Sequence, residues 1–93
     1  MNHEEARALL RQHLEGYRRR PYAELVRLLG QPQVTQLNGA SDVTYQVEVE
    51  IFWDARPGGA IRVLGSIDDG GWRALKPLCD DFILAPNGTF VGE

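Results

Sequence analysis

The chain has 93 residues, of which 43 % are hydrophobic and 25 % charged, and its formal net charge is −3. This length and composition fit a single globular domain over residues 1–93. The patterns along the chain predict an α+β domain with a helical part over 3–30 and an antiparallel sheet over 33–92. The acidic balance argues against a general nucleic-acid binder, and the single cysteine, Cys79, excludes an internal disulfide framework. The polar N-terminus lacks the apolar run of a signal peptide and no segment could span a membrane, so we expect a cytoplasmic protein without a membrane partner.

Charge is distributed unevenly along the chain. Residues 1–30 contain six arginines and four glutamates, a net charge of +2. Residues 31–93 contain four basic and nine acidic side chains, a net charge of −5. We therefore expect the two parts to attract one another weakly where they pack together.

The first thirty residues have the spacing of two helices. Apolar side chains recur every three or four residues between positions 4 and 17, and Asn2 is placed to cap this helix. Pro21 is expected at the first position of a shorter second helix of about eight residues that ends near Gly30. A single kinked helix is the alternative. The apolar positions are Ala6, Leu9, Leu10, His13, Leu14 and Tyr17, then Tyr22, Leu25, Val26 and Leu29.

The clearest pattern in the sequence is the alternation of apolar and polar residues over positions 43–53, broken only at Phe52. It predicts a strand with one buried face. A return strand over residues 60–67 would form a hairpin that places Trp53 opposite Ile61. On the exposed face, Arg62 would then lie across Phe52 and diagonal to Glu50.

Shorter segments complete the predicted sheet. Residues 34–37 and 82–84 are strand candidates, and residues 89–91 follow a turn as a further strand. Residues 72–75 are interpreted as a strand, and a helix over 72–84 is the alternative that Pro77 disfavours. The predicted fold class is α+β: one or two N-terminal helices packed on one face of a four- to five-stranded antiparallel meander sheet.

No residue pattern indicates a catalytic or metal site. His13 lies on the apolar stripe of the first helix, which favours a packing role. Cys79 precedes Asp80 and Asp81, whose charges oppose thiolate formation, so a packing role is expected here too. The segment Asp68-Asp69-Gly70-Gly71 has the composition of a turn. We therefore expect no enzyme activity, no cofactor and no metal.

The densest basic segment is Arg18-Arg19-Arg20, between Tyr17 and Tyr22. Arginines interleaved with aromatic residues can bind phosphates or single-stranded nucleic acid. Arginines at a helix C-terminus also complement the helix dipole, and this structural role is the one we expect. Nucleic acid is accordingly not the expected partner.

One short segment resembles a known family. Leu28-Leu29-Gly30-Gln31-Pro32, followed by a strand with aromatic residues, is similar to a pattern in small outer-membrane assembly lipoproteins of the SmpA/OmlA type. Those proteins carry a lipoprotein leader, which is not expected here. We therefore transfer neither a function nor a site from this resemblance.

Three functional hypotheses remain open. The first is a small non-enzymatic domain that binds a protein partner or forms a homo-oligomer through the exposed sheet face. The second is a small-molecule pocket between the helices and the sheet. The third is an acidic inhibitor of the immunity type that binds a basic protein, which requires the acidic residues to cluster on one face. The interaction face would use Phe52, Leu64, Glu48, Glu50 and Arg62, with Phe90 as a further apolar candidate, and the pocket would use His13, Tyr17, Arg20, Tyr22, Tyr45, Trp53 and Trp72.

Overall fold

The chain folds as helices packed against one antiparallel sheet, in a computed structural model that describes residues 2–71 and 77–93. Neighbouring strands pair antiparallel in sequence order, which confirms the predicted α+β fold. The elements are α1 (His3–Arg18), α2 (Tyr22–Val26), β1 (Gln33–Asn38), a short 3-10 helix (Ala40–Asp42), β2 (Thr44–Trp53), β3 (Ile61–Asp68) and β4 (Leu78–Leu84).

Helix α1 begins at its expected cap and lies over β3 and β4. The side-chain Oδ1 of Asn2 accepts a hydrogen bond from the backbone N–H of Glu5 at 3.0 Å. Gly65 of β3 allows close packing, since a Cβ there would lie 2.9 Å from Leu10 Cδ1 and 3.0 Å from Leu14 Cδ2. The helix therefore meets the sheet at a position that has no side chain.

Helix α2 is separate from α1, so the kinked-helix alternative is wrong. Pro21 is its N-cap in extended conformation rather than its first helical residue, and the helix has five residues instead of about eight. Turns continue to Gly30, whose positive φ of 72° ends the segment. The hydroxyl of Tyr22 donates a 2.6 Å hydrogen bond to the carbonyl of Gly59, which ties α2 to the turn between β2 and β3.

The hairpin of β2 and β3 has the predicted register. Trp53 pairs with Ile61, and Glu50 pairs with Leu64. One face of these strands is buried beneath the helices, as the alternation indicated. The buried core consists of Ala6, Leu10, Leu14, Tyr17, Leu25, Tyr45, Val47, Val49, Ile51, Ile61, Val63, Ile67, Phe82 and Leu84.

The C-terminal part differs from the prediction in two ways. Strand β4 already begins at Leu78, so the alternative of a helix over residues 72–84 is wrong for residues 78–84. The strand expected over residues 89–91 is only one bridge, between Leu84 and Phe90, and a turn follows it at Val91 and Gly92, where Gly92 has a φ of 84°. The strand expected over residues 72–75 lies outside the described residues.

Within the described part of the chain, no helix is long and apolar enough to cross a membrane.

Candidate functional site

The face of the sheet opposite α1 is the first candidate site. Within the described residues, no helix covers it. Strand alternation and register place on it Phe52 of β2 and Leu64 of β3, as predicted, together with Val34 of β1. Val34 is 55 % exposed and Phe52 is 39 % exposed, both high fractions for large apolar side chains. This face therefore combines accessible apolar groups with the polar residues beside them.

Carboxylates cluster on this open face. We call this cluster the acidic face and define it as Glu48, Glu50, Asp68 and Asp81, which the strand register places on the same face of the sheet as Arg62. Strand pairing puts Glu50, Leu64 and Asp81 in one row across three strands. Four of the nine acidic residues of positions 31–93 thus belong to this face.

Arg62 does not neutralise the centre of the acidic face. Its Nε and Nη2 donate to Asp54 Oδ1 at 3.0 and 2.8 Å, and its Nη1 donates to Asp81. The expected diagonal contact with Glu50 is therefore replaced by two aspartates, because Asp81 lies on β4, whose extent was not predicted. No cationic partner for Glu48 or Glu50 is found among residues 2–71 and 77–93.

Burial and the neighbouring carboxylates both raise the pKa of Glu48. Partial burial raises the pKa of the Glu48 carboxyl, and a hydrogen bond to Glu50 and the charges of Glu50 and Asp68 raise it further. Each of these causes makes ionisation of Glu48 less favourable. A cation bound over Glu48 and Glu50 would favour the ionised carboxyl of Glu48, which is opposite to the effect of the neighbouring negative charges.

An apolar cleft adjoins the acidic face. It has a volume of about 500 Å³ and lies between the segment after α2 and the end of β2. Glu50 belongs to both surfaces, since it also lines the cleft. We call this feature the Phe52 cleft and define it as Leu29, Gly30, Gln31, Pro32, Glu50, Ile51, Phe52 and Trp53.

A second concave surface lies between α1 and the edge strand β1. This α1–β1 groove has a volume of about 590 Å³. It contains three of the seven residues predicted for a pocket, namely His13, Tyr17 and Arg20. The other lining residues are Leu9, Gln12, Gly16, Gln33, Val34, Thr35 and Leu37.

His13 is the unusual group of the groove. Its Nε2 atom is buried and has no hydrogen-bond partner within the described part of the chain. Burial lowers the pKa of His13, and the positive charge of Arg20 lowers it further, so the ring is neutral at neutral pH. Arg20 itself lies over the Tyr17 ring at 4.7 Å from the centroid and 3.7 Å from Glu24 Oε1.

The remaining predicted pocket residues do not join the groove. Tyr45 is fully buried and donates its hydroxyl to Glu5 Oε1 at 2.8 Å. Tyr22 is bound to the turn at Gly59, and Trp53 lines the Phe52 cleft instead. Trp72 lies outside the described residues. Among the described members of the predicted pocket, three therefore line the α1–β1 groove and Trp53 lines the Phe52 cleft.

Arg18 and Arg20 of the arginine segment, residues 18–20, contact different partners. Arg18 donates to both carboxylate oxygens of Glu93 at 2.8 and 2.6 Å. Its guanidinium also lies 4.9 and 4.8 Å from the ring centroids of Phe82 and Phe90. Phe90 was predicted to belong to the exposed patch, which is wrong, because it packs edge-to-face on the core residue Phe82.

Some site residues were not predicted. Cys79 and Asp81 reach the open face because β4 starts at Leu78, whereas Ile83, on the same face, lies within the strand predicted over residues 82–84. The packing role expected for Cys79 is wrong, since its side chain is exposed. The adjacent Asp80 and Asp81 interrupt any alternation over residues 78–84, so the sequence pattern predicted only residues 82–84 of this strand.

Asp68-Asp69-Gly70-Gly71 forms the predicted turn, in which the two aspartate side chains accept hydrogen bonds from Gly70 and Gly71. Within residues 2–71 and 77–93, no group of three or more His, Cys, Asp or Glu side chains is arranged to hold a metal ion. Comparison of the chain with protein-family models, curated proteins and solved structures gave no match.

Proposed function

We propose that this chain is a non-enzymatic, cytoplasmic protein-binding domain whose acidic face binds a basic segment of a partner protein. The observation that carries the proposal is the pair Glu48 and Glu50, which lie together on an open sheet face without a described cationic partner. Burial raises the pKa of Glu48, and the neighbouring carboxylates raise it further; lysine or arginine side chains that approach would offset the repulsion among these carboxylates. Opposite charge also accelerates encounter and selects the partner.

The Phe52 cleft supplies the apolar part of the proposed interface. Protein interfaces combine a few buried apolar anchors with a polar surround. The cleft adjoins the acidic face at Glu50, so one segment could place an aromatic or aliphatic side chain against Phe52 while its basic side chains cover the carboxylates. The partner class is therefore a basic segment with at least one large apolar residue.

Selection of binding peptides tests this proposal. A library of random displayed peptides is selected against the wild-type chain and against Glu48→Gln/Glu50→Gln. We expect the wild type to enrich lysine- and arginine-rich peptides that contain a large apolar residue. The double variant should lose these peptides, and their affinity for the wild type should fall as salt increases.

Glu4→Gln/Glu15→Gln is the matched control, since it removes the same number of charges from exposed positions of α1. It should retain the enriched peptides. The proposal is wrong if no basic peptide is enriched, or if both double variants lose binding equally. Circular dichroism of the variants establishes that each one is folded.

The α1–β1 groove favours a second candidate function, the binding of a small anion. The specific observation is the buried, unpartnered Nε2 of His13 in a groove that also contains Arg20. Titration with small carboxylates, followed through the His13 ring resonances, tests this candidate. Binding should shift these resonances and raise the pKa of His13, whereas resonances unchanged at saturating carboxylate would exclude it.

A further inference from the structure

The outer edge of β1 presents backbone groups that have no pairing strand within the described residues. Among residues 2–71 and 77–93, strand β1 is at one end of the sheet and pairs with β2 alone. In an antiparallel pair, alternate residues direct both N–H and C=O toward the partner strand. The N–H of Gly39 donates to Val43 O, and the register then directs Thr35 and Leu37 toward β2. The N–H and C=O groups of Val34 and Gln36 consequently point away from the sheet.

Few of the usual protections of an edge strand are present in β1. Natural edge strands avoid pairing through charged side chains, proline or bulges. The sequence of β1, Gln33–Asn38, contains no charged residue and no proline. Val34 on this edge is the most exposed of the large hydrophobic residues of the described chain, at 55 %.

The opposite edge of the sheet is partly covered, at the C-terminal end of β4. Val91 donates its N–H to Ile83 O at 2.9 Å, and Phe90 forms a bridge with Leu84. The C-terminal segment therefore occupies part of the outer side of β4. Pairing at β1 alone gives a closed two-fold contact instead of an open fibre.

We propose that β1 pairs antiparallel with β1 of a second copy of this chain, which forms a homodimer with one continuous eight-stranded sheet. The second copy is the occupant that the edge fits, because two uncharged strands meet without like-charge repulsion. A two-fold axis near Gln36 pairs the free groups of each strand with those of the other. The inward side chains of the second copy, Thr35 and Leu37, then extend the wall of the α1–β1 groove.

This dimer does not depend on the basic partner proposed above. The acidic faces of both copies lie on the same side of the continuous sheet, and each begins on β2, one strand inward from the contact. Binding of a basic segment and dimerisation are therefore separable, and each is measured independently of the other.

Sedimentation equilibrium from micromolar to millimolar concentration tests the proposal. We expect the mass to rise from the 10.4 kDa of one chain toward twice that value. Gln36→Pro removes the outward N–H and should weaken dimerisation by about tenfold or more, while Gln36→Ala retains the N–H and should dimerise like the wild type. Val34→Lys should also weaken the dimer, and Gln46→Lys, on the same face of β2, should not.

Amide hydrogen exchange tests the dimer in the wild-type chain, without any substitution. The amides of Val34 and Gln36 should be protected only at concentrations where the dimer forms, whereas the Thr35 amide is protected at all concentrations. A mass of one chain at millimolar concentration would overturn the proposal, as would a dimer unaffected by Gln36→Pro. Protection of Val34 and Gln36 that appears only with an added peptide would also overturn it, since the edge then binds a foreign strand.

Discussion

The carboxylate of Glu5 on α1 accepts a 2.8 Å hydrogen bond from the hydroxyl of Tyr45 on β2, and it also accepts the backbone N–H of Ala40 at 2.9 Å. Tyr45 is fully buried, so Glu5 supplies the partner of a buried hydroxyl group. The hydrogen bond from Ala40 lowers the pKa of Glu5, and the bond from Tyr45 lowers it further. This one carboxylate joins the N-terminal helix, the 3-10 helix and the sheet.

We expect Glu5→Gln to lower the melting temperature at neutral pH by a few degrees. A depressed pKa means that the native state binds the proton less readily than the unfolded state does. The stabilisation is therefore present above the ordinary value of 4.5 and is lost as pH falls through the native-state pKa. Thermal denaturation of wild type and variant from pH 7 to acid measures this, and a melting difference that stays constant across the range would contradict it.

Gly65 should tolerate no branched side chain. Because its missing Cβ leaves room for Leu10 and Leu14, Gly65→Val should displace α1 and destabilise the chain by about 1–3 kcal/mol. Ser66→Val adds a similar side chain one position later, on the open face, where valine suits a strand. Urea denaturation should show Ser66→Val close to the wild type. Equal destabilisation by the two variants would mean that helix packing is not the cause.

Arg18 should stabilise the fold through its stacking on two aromatic rings as well as through its ion pair with Glu93. Arg18→Met removes the pair with Glu93 and the stacking on Phe82 and Phe90, and we expect a loss of about 1–2 kcal/mol. Glu93→Gln leaves the stacking in place and should have a smaller effect. Denaturation in low and high salt separates the two, since salt screens the ion pair. An effect of Glu93→Gln as large as that of Arg18→Met would contradict this division.

Glu48 should show the opposite pH dependence to Glu5. Its raised pKa means that the native state binds the proton more readily than the unfolded state, so this carboxylate destabilises the fold as pH rises through the ordinary value of 4.5. Glu48→Gln should therefore raise the melting temperature slightly at neutral pH, and the gain should disappear in acid. Glu4→Gln is the control, because Glu4 lies in the first turn of α1 and favours the helix dipole. It should not raise the melting temperature.

Local periodicity was sufficient to predict the central hairpin residue by residue. The apolar alternation of β2 specifies which face is buried, and a slip of one residue would turn every side chain over, so the register follows from the pattern. The same pattern placed Glu48, Glu50 and Phe52 together on the open face. Helix α1 and its Asn2 cap were likewise apparent from spacing and composition.

Contacts between distant segments could not be predicted in this way. The two aspartates that bind Arg62 come from the end of β2 and from β4, and nothing local to Arg62 specifies them. The packing of Phe90 depends on Arg18, which lies far away in the sequence. The groove beside His13 exists because α1 lies over β3 and β4 and leaves β1 uncovered, an arrangement that no single segment encodes.

The most direct test of the central claim is to map where a basic ligand binds. A peptide enriched in the selection is titrated into the ¹⁵N-labelled chain, and amide shifts are followed for wild type, Phe52→Ala and the control Val91→Ala, which changes another exposed apolar residue. We expect the largest shifts at residues 29–31, 46–53, 62–68 and 81, with affinity reduced by Phe52→Ala but not by Val91→Ala. Shifts confined to the exposed side of α1, or equal effects of the two substitutions, would contradict the assignment of the acidic face and the Phe52 cleft as the binding site.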